Sequence, residues 1–367
     1  MTSAKFRLKM DFEERIDLYF QIDRRGILTV MRKIIRSVVA ISLLLLIVLA
    51  MPVGVSAANG SELIVAGVPF GVKFHTQGVI VVGMPGESGP ASAAGLKRGD
   101  IITSINGEVV ESAEKFSEKV RASGGNALTL EYKSGSECRS VTVTPNVDES
   151  GEYKLGVWIK DSAAGIGTVT FIDPETMTFA GLGHGICDSS GGEPIPLAFG
   201  SAEDVTLTGI VIGKAGAPGE LRGSFVGHKM GKLTKNDTTG IYGILVEIPE
   251  HLKAEKYPVC RSADVKEGKA YIYTTVDGEG RKCYEIEIFG IERAGKDRNF
   301  SVRITDEALL SKTGGIVQGM SGSPIIQDGK LIGAVTHVLI NDPTCGYGIF
   351  IENMLNESTA RNELPAA

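Results

Sequence analysis

The chain has 367 residues, 43% of them hydrophobic, and a formal net charge of -6. This length accommodates two ordinary domains with extra segments, and the mild acidity argues against a nucleic-acid-binding surface. The 47 glycines favour a turn-rich β fold over a helical bundle, and the five scattered cysteines show neither CxxC nor Cys/His spacing, so no metal site is expected.

Residues 1–36 end in a small basic cluster, Arg32, Lys33 and Arg36. The run "SVVAISLLLLIVLAMPVGVSA" (37–57) that follows is almost free of charge and long enough to cross a bilayer. The flanking cations predict a single-pass anchor with its N-terminus in the cytoplasm and everything after residue 57 outside it. A cleaved signal segment is the other reading, because "VSA" resembles a small-residue cleavage site and Met31 makes a normal start.

Residues 58–150 read as short strands with one helix. "GVIVVGM" suits a buried strand, "IITSI" is a second, and Asn106-Gly107 is a hairpin turn. "SAEKFSEKVRAS" (112–123) is a helix with Ser112 as N-cap and Phe116 and Val120 on one face. "AGLKRGDIITSING" in this setting resembles a PDZ domain of the kind attached to bacterial proteases. The resemblance implies that "PFGV" is a carboxylate-binding loop for peptide C-termini, with Phe70, Gly71 and Val72 in it. Phe116 and Val120 would line the groove or serve as core.

Residues 151–358 carry short β-type runs between glycine turns, from "GVWI" to "GYGIFI", followed by a tail at 359–367. This spacing predicts a mainly β domain, a sandwich or barrel. In "GMSGSP", Gly-x-Ser-Gly-x-Pro resembles the nucleophile loop of chymotrypsin-like peptidases, which implies a double β-barrel. Ser321 takes the nucleophile position, and the N–H groups of Gly319 and Ser321 form the oxyanion hole. The strands that follow would wall a substrate pocket through Gly315, Thr336, His337 and Val338.

A serine nucleophile needs a base. Of the five histidines, His75 falls in the PDZ-like module and His251 in a charged loop. His228 has lysine neighbours that oppose protonation, and His337 lies on the strand bordering the pocket. His184, in "FAGLGHGICD", has small neighbours that leave its ring accessible, and is the expected base.

The whole arrangement resembles the sporulation-specific serine endopeptidase family, stage IV sporulation protein B, over roughly residues 31–357. That resemblance places the nucleophile on Ser321, the histidine on His184 and the acidic member on Asp306. Asp306 lies only fifteen residues before Ser321 and also fits a helix N-cap before "EALLSK", so Asp188 and Asp204 stay open as acids. The family implies no cofactor and a location at the inner forespore membrane. Its substrate is a membrane-bound regulator of an intramembrane metalloprotease, which processes a precursor sigma factor. It also implies self-cleavage. A catalytically inactive membrane-tethered PDZ scaffold is the competing reading.

Overall fold

A computed structural model of the protein describes residues 62–86, 89–187 and 193–359. The expected membrane segment, 37–57, lies outside them. Among the described residues no helix is long and apolar enough to cross a membrane.

The chain enters along β1 (Glu62–Gly83), a 22-residue strand that serves two bodies. Phe70, Val72 and Phe74 are buried while Lys73 and His75 face outward, the period-two alternation of a strand with one wet face. The register breaks between Val65 and Val68 and again between His75 and Ile80. Past the second break β1 enters a small module, made of α1 (Pro90–Ala93), β2 (Ile101–Ile105), β3 (Glu108–Val109), α2 (Ala113–Ala122), β4 (Leu128–Ser134), β5 (Glu137–Val143), β6 (Asn146–Val147) and β7 (Tyr153–Lys154). The Ser112 side chain caps α2 by accepting from Lys115 N, and Phe116 and Val120 pack into a core with Val79, Leu128 and Leu130.

The chain returns along β8 (Trp158–Ile172), then β9 (Thr178–Gly181), β10 (Leu197–Val211), β11 (Glu220–Asp237) and β12 (Gly240–Leu245). β1 pairs with β8 on one side and β10 on the other, so the order β1-β8-β9-β12-β11-β10 closes on itself as a six-stranded barrel. Phe70, Val72, Phe74, Phe179, Leu233 and Ile241 fill it. After β13 (Lys256–Pro258), which pairs with the start of β1, a second barrel forms. Its strands are β14 (Gly268–Thr274), β15 (Lys282–Phe289), β16 (Phe300–Ile304), β17 (Pro324–Gln327), β18 (Lys330–Leu339) and β19 (Asp342–Phe350), closed in the order β14-β15-β16-β19-β18-β17. Ile286, Ile288, Phe300 and Val302 alternate into its core. α3 (Glu307–Thr313) joins β16 to β17, and α4 (Ile351–Thr359) follows β19.

Two expectations need correction. The boundary at 150/151 does not separate the bodies, because β1 up to Thr76 is a wall of the first barrel, paired with β10 and β8. The small module is an insertion between two neighbouring strands of that barrel. "PFGV" is therefore no loop. Phe70, Gly71 and Val72 are paired with Gly167, Ile166 and Gly165 on one side and with Asp204, Glu203 and Ala202 on the other. Phe70 and Val72 are 0% and 1% exposed. A backbone hydrogen-bonded along both edges has nothing left for a peptide carboxylate.

Candidate active site

Ser321 lies on the turn between α3 and β17, in a stretch that glycine alone allows to fold this way. Gly319 and Gly322 have φ of 98° and 95°. A Cβ on Gly322 would sit 2.0 Å from the Thr168 carbonyl oxygen, so the turn lies directly against β8. Both barrels hold it. From the first, Thr168 N donates to Ser321 O at 2.9 Å, while the Thr168 and Thr170 hydroxyls donate to the carbonyls of Gly319 and Gly322 at 2.7 Å each. From the second, Gly322 N donates to Val335 O, and the buried Ser323 hydroxyl donates to the Thr274 hydroxyl at 2.9 Å.

These bonds orient two free donors. Gln318 O accepts from Leu221 N, and Met320 O accepts from Ser323 N. In a trans peptide the N–H points opposite to the carbonyl, so the N–H groups of Gly319 and Ser321 face away from those partners. Among the described residues neither N–H has a hydrogen-bond acceptor. Gly319 and Ser321 line a cleft of about 230 Å³ together with Gln318, His184, Leu182, Ile166 and Val72.

His184 follows a sharp turn after β9, where Leu182 and Gly183 take φ of 67° and 65°. A Cβ at Gly183 would lie 3.1 Å from Thr336, so this turn packs on β18 and brings His184 beside His337. The ring centroids are 4.5 Å apart with a tilt of 33°. His184 Nδ1 lies 2.9 Å from Gly185 O. A carbonyl can only accept, so Nδ1 carries the hydrogen and Nε2 of the neutral ring holds the lone pair a base requires. Burial pulls the His184 imidazole below its ordinary value and the Arg298 charge adds to this, against the hydrogen bond to Gly185. His337 is pulled down to about 4 by burial first, then by His184 and Arg298. Its Nδ1 is buried with no hydrogen-bond partner among the described residues. The Ser321 hydroxyl donates to the carbonyl of Thr336 at 2.6 Å.

Asp306 is elsewhere. Its Oδ1 accepts from the N–H groups of Ala308 and Leu309 at 2.9 and 3.1 Å, capping α3, and its Oδ2 accepts from Glu285 N at 3.4 Å. The structure thus spends this carboxylate on the helix and does not bring it to His184. Asp204 sits between His228 and His251, with Nδ1 and Nε2 at 2.8 and 3.2 Å. Asp188 lies outside the described residues.

The expected pocket wall is only partly a wall. A Cβ on Gly315 would meet the Pro343 carbonyl at 2.2 Å, so that position is closed by backbone rather than open to a side chain. Thr336 is fully buried, its hydroxyl donating to Tyr347 O, and only its carbonyl reaches the site. Val338 leans on the core of the second barrel, which leaves His337 as the side chain of these that reaches His184.

In the inserted module, Phe116, Ser117 and Val120 of α2 face Leu155, Gly156, Val157, Trp158 and Ile159 across a groove of about 370 Å³. The loop before β8, "LGVW", stands where "PFGV" was expected.

Comparison with known proteins places the peptidase match after residue 150, without the part of β1 that walls the first barrel. The family described as SpoIVB peptidase S55 matches residues 151–355, and a PDZ domain matches residues 81–134. Among curated relatives, the zinc metalloprotease RasP of Geobacillus kaustophilus is 42% identical over 65 residues, 18% of this chain and 15% of its own. The probable periplasmic serine endoprotease DegP-like of Brucella suis is 37% identical over 90 residues, 24% and 17% of the two. The chain thus spans no more than about a quarter of the length of the curated relatives it matches. Among solved structures, the PDZ domain of the SdrC-like protein of Listeria monocytogenes is 25% identical, covering 23% of this chain and 87% of that one, at a TM-score of 0.21. The M. tuberculosis protease Rv3671c in its inactive form is 14% identical, covering 52% and 81%, at a TM-score of 0.28.

Proposed function

The chain belongs to the SpoIVB peptidase S55 family, and from that membership we propose that it is a serine endopeptidase working through Ser321 and His184. The observation that carries the reading is the cleft in which Ser321, His184 and two unpartnered N–H groups meet between the barrels. His184 Nε2 takes the Ser321 proton as the hydroxyl attacks a peptide carbonyl, and the N–H groups of Gly319 and Ser321 receive the oxyanion. The protonated His184 then passes its proton to the leaving amine, and water releases the acyl group. In the structure the hydroxyl rests on Thr336 O, so rotation about Ser321 χ1 toward His184 precedes attack. Orientation of His184 falls to the Gly185 carbonyl at Nδ1 and to the His337 ring against its face.

The finer reading is that the enzyme signals at the membrane of a developing spore, cleaving a membrane regulator and itself. It rests on the family resemblance and on the run at 37–57. The PDZ module would then bind a protein C-terminus in the groove between α2 and Leu155–Ile159, as a strand beside β8. A second reading, a scaffold without activity, draws on the resting position of Ser321 and on the absence of a carboxylate at His184 among the described residues. A fluorophosphonate probe, with the adduct mapped by mass spectrometry, decides between them. Labelling of Ser321 supports the peptidase, and no labelling of the full chain supports the scaffold.

A further inference from the structure

The outer face of the first barrel carries a second, larger cleft of about 700 Å³. Strand register assembles it. Lys73 on β1 lies opposite Ser201 on β10, which lies opposite Lys232 on β11, and one step away Glu203 lies opposite Lys229. Its apolar parts are His75, stacked on Phe199 at 4.6 Å and 22°, and Val246. Phe199 and Val246 are 58% and 87% exposed, unusual for side chains of their kind.

The charges do not cancel. Glu203 is nearly buried and is held by Lys73 at 2.9 Å. Among the described residues Lys232 and Lys229 make no ion pair within 4 Å, and Lys229 shares Glu203 with Lys73 only at longer range. A chain of net charge -6 therefore presents a locally cationic concavity with an apolar rim. Such a surface favours an anionic, partly apolar ligand and draws it in over long range.

Its position says which ligand. Ala164 on β8 lines both this cleft and the one that holds Ser321, so the two meet there. In the peptidase reading His184 protonates the leaving amine, so a substrate leaving the cleft over Leu182, Ile166 and Ala164 would carry the residues after the bond toward the outer cleft. We propose that the outer cleft is a docking groove for an acidic segment of the protein substrate, C-terminal to the cleaved bond. The first residues after the bond would lie on Ile166 and Leu182, and the acidic residues beyond them would meet Lys229 and Lys232. This rests on the peptidase reading, whose failure looks different.

The test uses the full chain and a library of peptides with randomised positions, cleavage products being sequenced by mass spectrometry. Active enzyme is counted by fluorophosphonate labelling. The wild type should enrich Asp and Glu from the third residue after the cut, with kcat/KM about tenfold above matched Lys-bearing peptides at low salt. The enrichment should shrink as ionic strength rises. In the double variant Lys229→Glu, Lys232→Glu the preference should invert toward Lys and Arg. The variant Lys229→Gln, Lys232→Gln should flatten it, which covers any folding defect of the reversed protein. An identical profile in wild type and both variants overturns the groove while leaving the peptidase intact. So does a result in which only binding to vesicles of phosphatidylglycerol and phosphatidylcholine responds, because the face is then a lipid contact. No cleavage and no labelling at all refutes the peptidase reading instead.

Discussion

His337 packs on His184 with ring centroids 4.5 Å apart and a tilt of 33°, while the Gly185 carbonyl takes the Nδ1 position at which a triad carboxylate would hold the base. Its Nδ1 is sealed from solvent with no hydrogen-bond partner among the described residues, and Arg298 opposes protonation of both rings. A neutral imidazole braces a neighbouring ring without pulling a second charge into the site. It also gives less help to an imidazolium than a carboxylate would.

The pH dependence of catalysis follows. A base must be neutral to act, and burial followed by Arg298 lowers the His184 pKa. The acid limb of kcat/KM should therefore lie below the ordinary histidine value of roughly 6.5. Arg298→Gln removes the like charge and should move that limb upward by less than burial has lowered it. An unmoved limb in Arg298→Gln would show that Arg298 does not reach the site electrostatically.

Stability should respond to the same burial. The folded pKa of His337, about 4, lies below that of the unfolded chain, roughly 6.5. Between these values the unfolded chain binds more protons, so stability rises with pH through the window and is lost as pH falls through it. His184 adds in the same direction. His337→Phe keeps a ring on His184 and removes the titration, and its urea midpoint should change less between pH 7 and about 4 than that of the parent. Parallel curves for the two proteins would refute the assignment.

Ser321 and Ser323 separate activity from stability. Ser321→Ala should lose all labelling with little change in unfolding. Ser323 is fully buried and its hydroxyl is bonded to Thr274. Ser323→Ala should cost about 1–3 kcal/mol through the orphaned Thr274 hydroxyl while still accepting the probe at Ser321. Labelling that survives only in Ser321→Ala would exchange their roles.

Asp306 is a structural carboxylate in this geometry. Asp306→Ala should cost about 0.5–2 kcal/mol through the lost cap of α3, whereas Asp306→Asn keeps a good capping side chain and most of that stability. Both should label at Ser321 once folded. An Asp306→Asn protein of unchanged stability that no longer labels would mean that the carboxylate reaches His184 during catalysis.

The turn around Ser321 was legible because its requirements are local. Gly319, Ser321 and Gly322 set the backbone path within four residues, and the strands after it read as apolar, Gly-containing runs between turns. His184 was singled out by elimination among few histidines, with small neighbours as the signal. What escaped was everything depending on distant pairing. The first strand of the barrel is cut from its partners by an inserted module, so Phe70 to Val72 looked like a loop of that module. The groove loop at Leu155–Trp158 was missed for the converse reason, since it opens a strand of the barrel. Asp306 fitted two roles on its sequence alone, and only the backbone of α3 selects between them.

The relocated groove yields the last prediction. Ser117 is exposed on α2 and faces Leu155–Ile159, while its hydroxyl is used only within the helix, donating to Ala113 O. Ser117→Glu sets a carboxylate where an incoming C-terminus would lie and should leave the module folded, because the site is solvent-facing. Calorimetry with a carboxylate peptide and its amide should show the wild type preferring the carboxylate, and Ser117→Glu losing at least about tenfold of that preference through like-charge repulsion. Val72→Asp is the contrasting variant. It places a charge inside the first barrel, at a residue 1% exposed, so it should lower the unfolding midpoint sharply and impair labelling at Ser321 as well. Binding abolished by Val72→Asp in a protein that still unfolds and labels normally would return the carboxylate site to "PFGV" and undo the assignment to Leu155–Trp158.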